Sequence, residues 1–98
     1  MRRFHPLYLL FLALSLAACS LRLPASVIVN WTTVSEVDVI GFNVYRSESP
    51  GGDYVKVNPR LIPGATDPLR GGEYEFVDDG VIAGKTYYYK LEDVGADG

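Results

Sequence analysis

The side chains with the strongest potential for covalent chemistry lie near the amino terminus. The 98-residue chain has one histidine, His5, and one cysteine, Cys19. A lone cysteine has no partner within its own chain for a disulfide, so its thiol is free, is joined to another molecule or is modified. The residues that precede Cys19 indicate which of these three states of the thiol to expect.

The first 18 residues have the composition of an export signal. Arg2 and Arg3 give a positive start, residues 7–18 are apolar, and small residues precede Cys19. A membrane-spanning helix needs about 20 apolar residues, and Arg22 interrupts this stretch too early. We therefore expect a helical signal peptide over 1–18 that is cleaved. The alternatives are a short uncleaved anchor and an ordinary signal with an accidental cysteine.

The sequence LAAC, residues 16–19, resembles the lipobox of bacterial lipoproteins. The resemblance implies cleavage between Ala18 and Cys19, followed by attachment of lipid to the Cys19 thiol. Two or more acyl chains hold a protein firmly on a membrane, whereas one does so marginally. We therefore expect export to the cell envelope, a lipid-anchored tether over 19–26, and a domain that faces the periplasm or the exterior. The membrane would be the outer membrane or the cell surface.

The charge of the mature part excludes some partners. The whole chain has a net charge of −3, and removal of Arg2 and Arg3 with the signal makes it about −5. Nucleic-acid binding needs clustered basic side chains that face phosphates, and no such cluster is present. We therefore expect the membrane as a partner through the lipid, and no nucleic acid.

The mature sequence lacks the side chains that catalysis most often uses. His5 falls in the signal, Cys19 is expected to carry lipid, and no Ser-x-x-Lys motif is present. The acidic residues occur in small groups without the spacing of a calcium loop. The groups are Glu36 with Asp38, Asp78 with Asp79, and Glu92 with Asp93 and Asp97. We expect these carboxylates to be solvated, and we expect no catalytic residue, metal or cofactor.

Beyond the tether, apolar residues recur with the period of two that is typical of β-strands. Five short segments show it, with turns rich in glycine and proline between them, and together they predict an antiparallel β-sandwich. The segments are VIVNWTT (27–33), GFNVYRS (41–47), DYVKVN (53–58), EYEFVDD (73–79) and TYYYKLED (86–93). The alternation assigns these residues to the core: Trp31, Phe42, Val44, Phe76, Tyr87, Tyr89 and Leu91.

Residues 27–98 resemble the fibronectin type III module, an immunoglobulin-like sandwich. The resemblance rests on Trp31, on GFNVYR, and on DDGVIAGKTYYYKLEDVGADG at the carboxyl end. It implies strands B, C, C′, E and F, with Trp31 between the sheets and Tyr87 as the tyrosine corner. Strand G is absent, so the sandwich is expected to be incomplete. We expect either a continuation in a larger surface protein or a strand borrowed from another chain.

Alternation also directs three tyrosines away from the core. Tyr45 and Tyr88 fall on the outer face of neighbouring strands, and Tyr54 lies beside a hairpin turn. Exposed aromatic rings can anchor a protein or stack on a sugar, or they can form a cross-strand pair that stabilises the sheet. We predict a non-catalytic spacer or protein-interaction domain, with a protein or further domains as partner. The alternative is a carbohydrate-binding module.

Overall fold

The chain folds into β-strands that form two antiparallel sheets. A computed structural model describes residues 2–12, by their backbone alone, and residues 22–96. The strands are β1 (Arg2–Leu12), β2 (Pro24–Thr32), β3 (Val39–Ser47), β4 (Val55–Lys56), β5 (Ile62–Pro63), β6 (Glu73–Ile82) and β7 (Thr86–Gly95). The described part contains no helix, so the prediction of an all-β fold is confirmed.

The larger sheet has the strand order β1-β7-β3-β4, with β5 paired to β3, and the smaller sheet consists of β2 and β6. The two sheets share one hydrophobic core in a sandwich-like arrangement. The five segments with alternating apolar residues correspond to β2, β3, β4, β6 and β7. Strand β5 was not predicted, because it is only two residues long and contains a proline, which is tolerated at a sheet edge.

The expectation of a helix over the amino-terminal segment is wrong for Arg2–Leu12. This segment is strand β1, which pairs antiparallel with β7 from Arg2 opposite Val94 to Leu12 opposite Thr86. An unpaired sheet edge offers a row of backbone donors and acceptors to any extended segment. Pairing with β7 therefore supplies the backbone hydrogen bonds that a helix would have formed within itself. The sequence led us to expect a continuation of the protein or another chain along this edge, and cleavage before Cys19 would remove β1 and leave this side of β7 unpaired.

The core consists of alternate side chains from four strands. In β2, the alternation of exposed and buried positions places Val27, Val29 and Trp31 inside. Phe42 and Val44 of β3 face them, and β7 adds three further residues, Tyr87, Tyr89 and Leu91. Phe76 is only partly buried and packs against this cluster. The pattern that predicted the strands is thus the pattern that fills the space between the sheets.

A tight turn joins β6 to β7 and is fixed by a tyrosine. Gly84 has φ 88°, a value that favours glycine. The hydroxyl oxygen of Tyr87 accepts a hydrogen bond from the backbone N–H of Ile82, at 2.9 Å. A buried tyrosine that bonds to backbone a few residues upstream is the arrangement of the tyrosine corner.

Candidate functional site

Two of the tyrosines considered for binding lie on the outer face of the larger sheet, next to each other along a diagonal. Tyr45 is opposite Lys90, and Tyr88 is opposite Ser47. Both rings are half-buried. The Tyr45 hydroxyl donates to the Glu92 carboxylate over 3.2 Å, so this ring is already part of a cross-strand contact.

Tyr54 reaches the same face from the turn before β4. Its hydroxyl donates to the Pro50 carbonyl at 2.9 Å. The Lys90 ammonium lies 4.3 Å from the centroid of its ring, within the range of a cation–π contact. The structure thus brings Tyr54 close to Lys90, and the outer face carries tyrosines that are engaged with charged neighbours.

A polar network lies beneath these rings. Asn43 donates to Glu92 at 2.8 Å, and Asn58 donates to Asn43 at 2.9 Å. The side-chain oxygen of Asn58 also accepts from the Val44 N–H at 2.8 Å. Asn43, Asn58 and Glu92 are all buried. A buried polar group is costly unless it is hydrogen-bonded, and these contacts meet that requirement while they hold β3, β7 and the segment after β4 together.

Asp78, in the middle of β6, is a buried acid with several partners. Only 4% of it is exposed. Arg46 Nη1 lies 2.7 Å from both carboxylate oxygens, the Tyr89 hydroxyl donates at 2.8 Å, and the Gly80 N–H donates at 3.1 Å. The Arg46 guanidinium also lies 5.7 Å from the Tyr87 ring centroid. This cluster links the smaller sheet to the larger one.

Glu36, in the loop 33–38, also links separate parts of the sandwich. It is 2% exposed. Its carboxylate accepts hydrogen bonds from the hydroxyls of Thr33 and Tyr74 and from the Ala65 N–H at 2.7 Å. Glu36 therefore joins its own loop to the long connection before β6 and to β6 itself.

These contacts shift the acidity of the groups involved. Burial alone raises the pKa of Glu36, but the hydrogen bonds from Thr33, Tyr74 and the Ala65 N–H outweigh it, so the pKa falls below its ordinary 4.5. Burial and the bond to Glu36 raise the pKa of Tyr74 to about 12. Burial and the bond to Asp78 likewise raise the pKa of Tyr89 above its ordinary value. Glu36 thus stays ionised, and the Tyr74 and Tyr89 phenols stay protonated, at neutral pH.

The prediction that the grouped carboxylates are solvated is therefore wrong for Glu36, Asp78, Glu92 and Asp93, which are all buried. Asp38 and Asp79 are exposed, and Asp97 lies outside the described residues. Within residues 22–96, no group of three or more His, Cys, Asp or Glu side chains could hold a metal ion. Glu36, Asp78 and Glu92 contact hydroxyls, N–H groups and Arg46.

A cavity of about 520 Å³ opens beside the loop 33–38. Trp31, Phe42 and Leu91 form part of its wall, and Thr33 and Asp93 add polar groups. This volume falls within the range of about 300–1,000 Å³ that is usual for small-molecule sites. Sequence reasoning did not identify the cavity, because it lies where the ends of distant strands meet a loop.

Trp31 has an unusual position in this wall. One face of its indole stacks on Tyr74, with ring centroids 5.3 Å apart and an interplanar angle of 14°, while Phe42 meets it edge to face at 5.6 Å. Trp31 is 7% exposed. Across residues 22–96, its Nε1–H is the buried side-chain polar group that has no hydrogen-bond partner. Such a group is rare in a folded protein and calls for an explanation.

The residues expected to undergo signal cleavage and lipidation, Ala18 and Cys19, lie outside the described residues. In the part that is described, no helix is long and apolar enough to cross a membrane.

Comparison with known proteins gives one informative similarity. No family model matches the chain, and no solved structure matches it. A stretch of 66 residues, 66% of this chain, is 32% identical to part of an amylopullulanase from Thermoanaerobacter thermohydrosulfuricus. That stretch covers 4% of the amylopullulanase. The chain therefore spans a small fraction of the length of this relative.

Proposed function

We propose that the chain is a lipid-anchored, non-catalytic module of the cell envelope, with a fibronectin type III-like sandwich that serves as a spacer or protein-interaction domain. One observation carries the proposal: the buried carboxylates Glu36, Asp78 and Glu92 are hydrogen-bonded to side chains or backbone of other segments of the fold. Asp78 contacts Arg46 and Tyr89, and Glu36 contacts Tyr74. Groups used in this way hold strands together and are not arranged as a nucleophile with its base.

The similarity to 4% of an amylopullulanase supports the same view. A domain-sized stretch within a much longer protein behaves as a module, and modules of this size recur in proteins of unrelated activity. The lipobox-like LAAC supplies the anchor, and residues 20–23 link Cys19 to β2, which begins at Pro24 and so includes the last three residues of the expected tether 19–26.

The anchor is tested by expression of the full chain in a bacterium in the presence of radiolabelled palmitate. We expect label in the wild type and in Ser20→Ala, which keeps the thiol, and none in Cys19→Ala. Label in Cys19→Ala, or none in the wild type, contradicts lipidation at Cys19.

A second candidate function is carbohydrate binding, which the similarity to an amylopullulanase favours. The first surface to test is the outer face with Tyr45 and Tyr88. Retention of the full chain by immobilised pullulan, compared with Tyr45→Ala and Tyr88→Ala, measures both the binding and its location. Loss of retention in either variant places the sugar on this face. Retention that both variants share with the wild type excludes it.

A further inference from the structure

We propose that the cavity beside the loop 33–38, with Trp31 in its wall, binds one unit of a neutral carbohydrate. This inference rests on the second candidate function above. It assigns the site to an end of the sandwich rather than to the outer tyrosines. It accounts for the cavity and the unpaired indole N–H together.

The first step concerns the Trp31 indole. Tyr74 covers one face of the ring, and Tyr74 is not part of the cavity wall, whereas Trp31 is. The cavity therefore meets Trp31 at its edge or at its other face. A ligand with hydroxyl oxygens in this space offers an acceptor for Nε1–H, which has no partner within the described protein. Nε1–H is itself buried, so this contact requires the ring or the loop to move, and side-chain rearrangement is common on binding.

The second step concerns charge. The described residues of the wall include two carboxylates, Glu36 and Asp93, and both already have partners. The hydroxyls of Thr33 and Tyr74 and the Ala65 N–H, which bond to Glu36, are neutral donors, so its negative charge disfavours anionic ligands such as phosphates or acidic sugars. A neutral polyol therefore suits the wall better than an anion does.

The third step concerns the mixture of surfaces. Phe42, Leu91 and Val39 give apolar wall, while Thr33 and Ser35 give hydroxyls. A sugar ring has apolar C–H faces and a polar rim, so it needs both kinds of surface at once. The rim of the cavity is also accessible, since Val34 is 91% exposed and Val37 is 55% exposed.

The fourth step concerns orientation relative to the membrane. The tether enters β2 at Pro24, and Trp31 lies near the other end of this nine-residue strand. At about 3.3 Å per residue, the cavity lies roughly 25 Å from the tether along the strand. A lipid-anchored module thus presents the cavity away from the membrane, where a glycan can reach it.

The test uses the only tryptophan of the chain as its own reporter. The full chain, purified in a detergent without sugar groups, is titrated with maltotriose. The indole N–H resonance of Trp31 and its fluorescence are followed. We expect a saturable change below about 10 mM, and no such change with glucose 6-phosphate, which carries a phosphate.

Two matched variants locate the binding. Val37→Arg places a long side chain at the rim of the cavity, and we expect at least a tenfold weaker response. Val77→Arg makes the same change at a position 49% exposed on the smaller sheet, and we expect a response within twofold of the wild type. Thermal unfolding of both variants shows that each is folded.

The outcomes separate this inference from the proposals on which it stands. A response that Tyr45→Ala removes and Val37→Arg leaves intact supports carbohydrate binding and overturns the cavity as its site. The absence of any saturable response to maltotriose overturns both carbohydrate binding and the cavity as its site, and an equal response to glucose 6-phosphate overturns the preference for a neutral ligand. The palmitate experiment at Cys19 tests the anchored module independently.

Discussion

Removal of the Asp78 carboxylate is the most demanding test of how the two sheets are held together. Asp78→Ala leaves the Arg46 guanidinium and the Tyr89 hydroxyl without the acceptor that now lies 2.7 and 2.8 Å away. Loss of one partner of a buried ion pair costs about 3–5 kcal/mol. Arg46 keeps 24% of its side chain exposed, so water can reach it. We therefore expect the lower end of this range, about 3 kcal/mol.

Urea unfolding of the full chain, followed by the fluorescence of Trp31, measures this loss. In thermal unfolding of a domain of this size, the same loss of about 3 kcal/mol lowers Tm by at least about 12 °C. Asp79→Ala is the matched control, because the neighbouring carboxylate is exposed, and we expect a change within about 0.5 kcal/mol.

A second variant keeps the test decisive if Asp78→Ala does not fold. Arg46→Met combined with Asp78→Ala removes the unpaired charge along with the acid. We expect the double variant to be more stable than Asp78→Ala alone, since the uncompensated buried charge is the larger cost. A loss below about 1 kcal/mol in Asp78→Ala, or a double variant that is less stable still, refutes the reasoning.

Two other contacts give predictions of the same kind. The lowered pKa of Glu36 means that its ionised form stabilises the fold above pH 4.5, its ordinary pKa, and that this stabilisation is lost as the pH falls through the folded pKa. We therefore expect Glu36→Gln to be less stable than the wild type at pH 7, and to lose less stability than the wild type as the pH falls. Urea unfolding at a series of pH values measures this. If the free energy of unfolding depends on pH in the same way for both proteins, the prediction is wrong. Tyr87→Phe leaves the Ile82 N–H without its acceptor, which costs about 1–3 kcal/mol. Tyr88→Phe, on the outer face, is its control, and equal losses in chemical unfolding exclude the corner as the cause.

The strands and the core could be predicted from the sequence because both depend on neighbouring residues. Alternation along β2 fixes which side chains point inward, and the same holds for Phe42 and Val44 in β3. Glycine and proline between the segments mark the turns. Nothing beyond local pattern is needed to recognise these elements.

The polar contacts could not be predicted, because they join residues far apart in the chain. Arg46 and Asp78 are separated by 32 positions, and Glu36 and Tyr74 by 38. A carboxylate beside a glycine, as in DDG, is typical of a turn, so its burial is invisible without the register of the sheets. The sequence did contain one indication. Glu92 follows Leu91 within an alternating segment, and an acid at such a position belongs to a face of a sheet.

The cavity was missed for the same reason. Its wall takes Trp31 from β2, Phe42 from β3 and Leu91 from β7, and these residues are adjacent only in the fold. The tyrosines of the outer face were predicted as binding residues because the alternation of apolar positions is enough to place them on that face. The unpaired indole of Trp31 became visible only when the neighbours of its ring were known.

The central claim is a β-sandwich module held at the cell envelope by lipid on Cys19, and the mass of the protein recovered from membranes tests it most directly. We expect a species that begins at Cys19, lacks residues 1–18, and is heavier than its peptide mass by a diacylglycerol group or more. A chain that retains the first 18 residues, or one that is cut elsewhere and has an unmodified Cys19, contradicts the claim.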